Sequence, residues 1–77
     1  MKIQTPSIGI VLPCYNEEEI LLKTDKKIGN LVERLIHDMV ITKNSLIVYV
    51  DDGSTDKTWE IIENLVDKNE NRIGVKF

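Results

Sequence analysis

A chain of 77 residues, 42% hydrophobic and 30% charged with a net charge of −3, is at most one small globular domain, without the basic field that nucleic-acid binding uses. A single cysteine, Cys14, rules out an internal disulfide and a cysteine-rich zinc site. With one histidine in the chain to activate it, it reads as a small turn residue rather than a nucleophile.

No run reaches the roughly 18 apolar residues that cross a bilayer. Residues Met1 to Pro6 read as a short lead-in without a signal-peptide core, so the expected location is the cytoplasm. Ser7 to Leu12 is an unbroken apolar run stopped by Pro13, which predicts a strand buried on both faces. Pro13-Cys14-Tyr15-Asn16 predicts a turn. Asn16 with Glu19 resembles a capping box, and Glu17, Glu18 and Glu19 suit the positive end of a helix, so a long helix is expected from near Glu17.

Ile20, Leu21, Ile28, Leu31, Val32, Leu35, Ile36, Met39 and Val40 recur at helical spacing and extend that helix to about Val40, where Thr42 to Ser45 stop it. Its lysines form a solvated face. His37, near the helix end, reads as a surface residue. Leu46 to Val50 predicts a second strand. A second helix is expected from about Asp56 to Lys68, capped by Ser54 or Thr55, with Trp59, Ile62, Leu65 and Val66 facing inward. Asn69 to Arg72 breaks it, and Ile73 to Phe77 predicts a third strand.

The order β-α-β-α-β is the mononucleotide-binding half of a doubly wound α/β parallel sheet, with both helices on one face. The other face, which about half of Ile8, Ile10, Leu12, Leu46, Val48 and Val50 must share, would lie bare. Such a patch marks a missing layer or a partner, so the expectation is a piece of a larger protein that self-associates when isolated.

Chemistry concentrates at two strand ends. Leu12-Pro13-Cys14-Tyr15-Asn16-Glu17 offers an aromatic ring and a carboxylate on which a nucleobase could stack and be hydrogen-bonded; the same residues also make a good strand exit and helix start. Val50-Asp51-Asp52-Gly53-Ser54-Thr55-Asp56 offers adjacent carboxylates and a glycine that admits a close ligand; it would equally serve as a polar turn. Strand ends and helix N-termini in a parallel sheet leave backbone N–H groups open to ligands. Two acids there suit donors, such as a base N–H, ribose hydroxyls or a metal, better than a bare phosphate.

Ile10 to Glu18, followed some thirty residues later by Val48 to Ile62, resembles the start of family-2 glycosyltransferases over about residues 7–77. Within that family it is most similar to the polyprenyl-phosphate (dolichol-phosphate or undecaprenyl-phosphate) mannosyl- and glucosyltransferases, through the Thr58-Trp59-Glu60 continuation. The resemblance implies the N-terminal part of a Rossmann-like GT-A fold, residues 1–77 being the incomplete nucleotide-binding portion. It also implies an inverting transfer of a hexose from a uridine- or guanosine-diphosphate sugar, with Mg²⁺ or Mn²⁺, to an acceptor such as a polyprenyl phosphate.

Carried onto matching positions, the resemblance implies that Pro13, Tyr15 and Glu17 line the nucleoside pocket and Val50 packs beside the base. Asp52 would accept the base N–H, with Asp51 in support. The family's Asp-x-Asp metal motif has no match in this sequence. Catalytic base, metal ligands and any membrane-associated segment are therefore expected outside it, and the chain alone is expected to be inactive.

Three other readings compete. A phosphatase of the Asp-x-Asp-Gly-Thr type would need its nucleophile where Val50 stands. A receiver-like domain would need an aspartate where the chain reads Val75-Lys76-Phe77. A non-catalytic oligomerisation or interaction module would use the bare sheet face.

Overall fold

The computed structural model describes residues 4–77, and its elements follow the expected order: β1 (Gly9–Cys14), α1 (Leu21–His37), β2 (Leu46–Asp51), α2 (Thr58–Lys68) and β3 (Arg72–Lys76). Residues 1–3 of the expected lead-in lie outside the described residues. The three strands make one parallel sheet in the order β1-β2-β3, with Ile10 beside Ile47 and Tyr49 beside Gly74. Parallel neighbours need a crossover, and each helix supplies one.

Both helices cover the same face. Asp25 of α1 accepts a hydrogen bond from Tyr49 of β2, while Ile62 of α2 lies over Gly74, the register partner of Tyr49. Between sheet and helices sits the core of Leu21, Val32, Ile41, Ile47, Tyr49, Ile62 and Leu65, and Cys14 belongs to it. Cys14 is thus the buried last residue of β1, a correction to its expected place in a turn. Trp59 and Val66 pack against this core half-buried, and Lys76 lies over the Trp59 ring, 5.6 Å from its centroid.

The opposite face carries Val11 and Pro13, Leu46, Val48 and Val50, and Ile73 and Val75, by alternation from the covered residues. Val11 is 60% exposed. The unbroken apolar runs therefore do not mean strands buried on both faces, as expected from the sequence. They are apolar on both faces, but the helices cover one.

Boundaries shift for local reasons. β1 runs through Pro13 because it is an edge strand, where a missing N–H is tolerated. α1 stops at His37 and not near Val40: Met39 takes a left-handed φ of 59°, Met39 N–H donates to Ile36 C=O at 3.0 Å and Val40 N–H to Leu35 C=O at 2.9 Å. That is a Schellman-type ending, with Met39 where glycine is usual. His37 sits on the surface beside Asp38, as expected.

The interior also holds a charged pair. Asp25, 7% exposed, lies in the apolar stripe of α1 between Leu21 and Val32. Its carboxylate accepts from Tyr49 Oη at 2.5 Å, Arg72 Nε at 2.8 Å and Arg72 Nη2 at 3.1 Å. Gly29, one turn further along α1, makes room: a Cβ there would stand 2.7 Å from Arg72 Nη2. Arg72, expected as a helix breaker, instead opens β3 and reaches across to α1.

Candidate functional site

β1 and β2 end side by side, and Asp52 N–H still donates to Cys14 C=O at 3.0 Å, so the loops after them leave the same edge of the sheet. The first loop carries Tyr15 to Ile20; the second carries Asp52 to Lys57.

The loops are laced together by side chains. Three successive backbone N–H groups of the first loop donate to the second loop or to the first residue of α2: Asn16 to Ser54 Oγ at 2.9 Å, Glu17 to Thr58 Oγ1 at 2.8 Å and Glu18 to Asp56 Oδ2 at 3.3 Å. In return, Thr55 N–H donates to Asn16 Oδ1 at 2.8 Å. Each hydroxyl in this lacing also donates to a carboxylate, Ser54 Oγ to Asp51 Oδ1 and Thr58 Oγ1 to Asp56 Oδ1, both at 2.5 Å. A carboxylate is an acceptor only, so it fixes the hydroxyl proton and turns the lone pairs toward the amides.

The expected caps are therefore corrected. Asn16 is not an N-cap: its φ is 49° and its side chain serves the other loop, while α1 begins at Leu21 with no side-chain cap. Ser54 and Thr55 do not cap α2. The N-cap position is Lys57, with no side-chain cap, and Asp56 just before it accepts Thr58 N–H at 2.9 Å. Gly53, at φ 82°, makes the reversal between Asp52 and Ser54 that a residue with a Cβ would resist.

The six residues singled out in the sequence fall into two groups. Pro13 and Val50 are register partners on the open face, and Tyr15 and Asp52 follow them out of the strands, both exposed. Asp51 points the other way and is fully buried. Its Oδ1 accepts from the Ser54 amide and hydroxyl, and its Oδ2 has no hydrogen-bond partner. Glu17 is half-buried, its N–H taken by Thr58 and its C=O accepting from Leu21 at 3.0 Å. Asn16, Ser54 and Thr58 carry the lacing. The signal that points to them is the cluster of polar residues in two loops predicted to meet.

Electrostatics follow this arrangement. Burial, reinforced by the charges of Glu17 and Asp51, pushes the Cys14 thiol up to about 11, so it stays protonated at neutral pH and is no nucleophile. For Asp56, desolvation acts upward, but hydrogen bonds from Thr58 and Glu18 outweigh it and hold the carboxyl below its usual range.

The rim also departs from the expectation of free backbone donors. The N–H groups of Asn16, Glu17, Glu18, Ser54, Thr55 and Thr58 are all spent on side chains. A phosphate is thus denied these amides. Among the described residues no three or more His, Cys, Asp or Glu side chains converge in a metal-binding arrangement. What the rim leaves open is an aromatic ring and a carboxylate.

A parallel β-α-β-α-β sheet with two laced loops at its carboxyl edge is the opening portion of a Rossmann-like α/β domain. The chain belongs to glycosyl transferase family 2, whose profile matches residues 9–77. It is 40% identical over its whole length to YkoT of Bacillus subtilis, an uncharacterized glycosyltransferase, covering 23% of that protein. It is 33% identical over 61 residues, or 79% of the chain, to a dolichol-phosphate mannosyltransferase of Pyrococcus furiosus, and covers 15% of it. With an undecaprenyl-phosphate 4-deoxy-4-formamido-L-arabinose transferase of Photorhabdus laumondii it shares 37% over 71 residues, 91% of the chain and 20% of the relative. The chain therefore spans less than a quarter of each of these relatives. Among the described residues no helix is long and apolar enough to cross a membrane.

Proposed function

We propose that this chain is the nucleotide-sugar-binding portion of an inverting glycosyltransferase that moves a hexose from a uridine- or guanosine-diphosphate sugar to an acceptor. Tyr15 stacks on the base, Pro13 and Val50 wall it, and Asp52 accepts a base N–H. Asp51 and Glu17 act from behind, Asp51 by holding Ser54. Uracil and guanine both offer ring N–H donors, the chemistry an exposed carboxylate recognises. The observation that carries this reading is the rim itself: six of its amides are bound to side chains of the chain, while Tyr15 and Asp52 stand exposed at the ends of neighbouring strands.

A polyprenyl phosphate is the acceptor class proposed, supported by the names of two relatives. The setting proposed is cytoplasmic. Metal and catalytic base would come from residues outside this sequence, so the chain alone, given donor sugar and Mg²⁺ or Mn²⁺, is proposed not to transfer sugar.

Titrating uridine and guanosine diphosphates against the chain and its Asp52→Ala variant tests the pocket. Losing this hydrogen bond is expected to weaken the preferred nucleotide by roughly 1–3 kcal/mol, about five- to 150-fold in Kd. Unchanged affinity would remove Asp52 from the site, and turnover by the chain alone would overturn the proposed division of labour.

A second reading, an interaction module that pairs with another copy, is favoured by the open sheet face with Val11, Ile73 and Val75 exposed.

A further inference from the structure

We infer that Asn16 is a positioning residue for the nucleoside: it fixes where Tyr15 and Asp52 stand relative to each other without touching the ligand itself. The inference rests on the nucleoside reading above. Asn16 directly follows Tyr15. Its N–H is bound to Ser54 Oγ at 2.9 Å and its Oδ1 receives the Thr55 N–H at 2.8 Å, so both its backbone donor and its side-chain acceptor are engaged by the loop that begins with Asp52.

The need for such a tie lies at Gly53. With no side chain and a φ of 82°, it is a swivel between Asp52 and the part of the loop anchored on Asp51. Asp52 N–H is tied to Cys14 C=O at 3.0 Å, so what remains to be set is the path of the loop beyond Gly53. Asn16 closes the other side by gripping Ser54 and Thr55, the two residues after the swivel. The residue type fits the task, because asparagine tolerates the left-handed φ of 49° and also brings an acceptor on a short side chain. Ring and carboxylate then form a clamp set before the ligand arrives, which lowers the ordering cost of binding.

The glycine substitution Asn16→Gly keeps the left-handed backbone accessible and removes the acceptor. In the 77-residue chain it is expected to weaken the preferred nucleotide, uridine or guanosine diphosphate, by about tenfold among folded molecules, the loss of one net hydrogen bond's worth of preorganisation. A merely structural role would lower the denaturation midpoint and leave that affinity unchanged.

The decisive readout is a cycle with Asp52→Ala. If Asn16 acts through Asp52, then Asn16→Gly costs clearly less affinity once Asp52 is gone. Losses that simply multiply, or no loss from Asn16→Gly while Asp52→Ala weakens binding, would overturn the inference and leave the nucleoside reading standing. No nucleotide binding at all, or none of it sensitive to Asp52, would overturn both. Should Asn16→Gly not fold, Ser54→Ala unties the partner bond and takes its place in the same cycle, read by the same criteria.

Discussion

Replacing Arg72 by leucine is expected to cost about 3–5 kcal/mol of folding stability, read from the urea midpoint, because it strands a buried carboxylate. In the native chain Asp25 is 7% exposed and takes two hydrogen bonds from Arg72 besides the one from Tyr49. Without the guanidinium, one neutral donor is left to a charge that water does not reach. A domain of this length holds on the order of 4–12 kcal/mol in all, so the variant would lie near unfolding. Removing both charges, with Asp25→Leu added, should restore much of the loss, since no charge is then buried alone. A loss under about 1 kcal/mol for Arg72→Leu would mean that water reaches the pair.

The same pair predicts a pH dependence whose sign can be inverted. Burial pushes the Asp25 carboxyl up, yet the hydrogen bonds from Arg72 and Tyr49 outweigh it and its pKa lies below the ordinary 3.8. A carboxyl depressed by folding adds stability that is fully present above its unfolded value. The native chain should therefore lose that contribution as the pH falls below 3.8 and through the depressed value. In Arg72→Leu burial goes largely unopposed and the folded pKa should rise above the unfolded one, so this carboxyl then favours folding on acidification. Burial, with the hydrogen bond to Asp25 adding to it, likewise raises the Tyr49 phenol far enough to keep it neutral and donating.

Much of the architecture was legible because the strongest signals are local. The apolar runs around Ile10, Ile47 and Val75 and the helical spacing from Leu21 to Ile36 are periodic over many residues, and the alternation of types forces a parallel sheet. What misled were residues whose partners lie far along the chain. Asn16 and Glu19 satisfy the local pattern of a capping box, but Asn16 meets Thr55, 39 positions away, and no local rule sees that contact. Pro13 looked like a stop because edge position is a property of the sheet, not of the run. Arg72 is polar after a polar loop and reads as part of it until the register sets it beside Ile47. Asp25 did leave a trace: a charge inside the stripe of Leu21, Ile28 and Val32 asks for a buried partner.

At the rim, the sequence does not tell which motif residues turn inward and which outward. Asp51 and Asp52 are indistinguishable neighbours in sequence. The pleat separates them, sending Asp51 into the core and leaving Asp52 exposed. Ser54 reads in the sequence as a helix cap, whereas the use of Ser54 and Thr58 as relays between loop amides and carboxylates depends on distant segments meeting in space.

Truncating Ile62 to alanine is expected to cost about 2–5 kcal/mol, whereas truncating Val11 in dilute solution should cost under about 1 kcal/mol. The contrast follows from helices covering one side of the sheet. Ile62 is fully buried between α2 and the strands, and Gly74 beneath it has no side chain to relax into the gap. Val11 is 60% exposed on the open face, so its methyls already contact water. Urea midpoints for both variants at low and high protein concentration also address the second functional reading. If another copy covers the open face, the cost of Val11→Ala must grow with concentration, because the contact it weakens exists only in the associated form. A cost that stays small across that range, with a monomer in sedimentation throughout, would count against the interaction module.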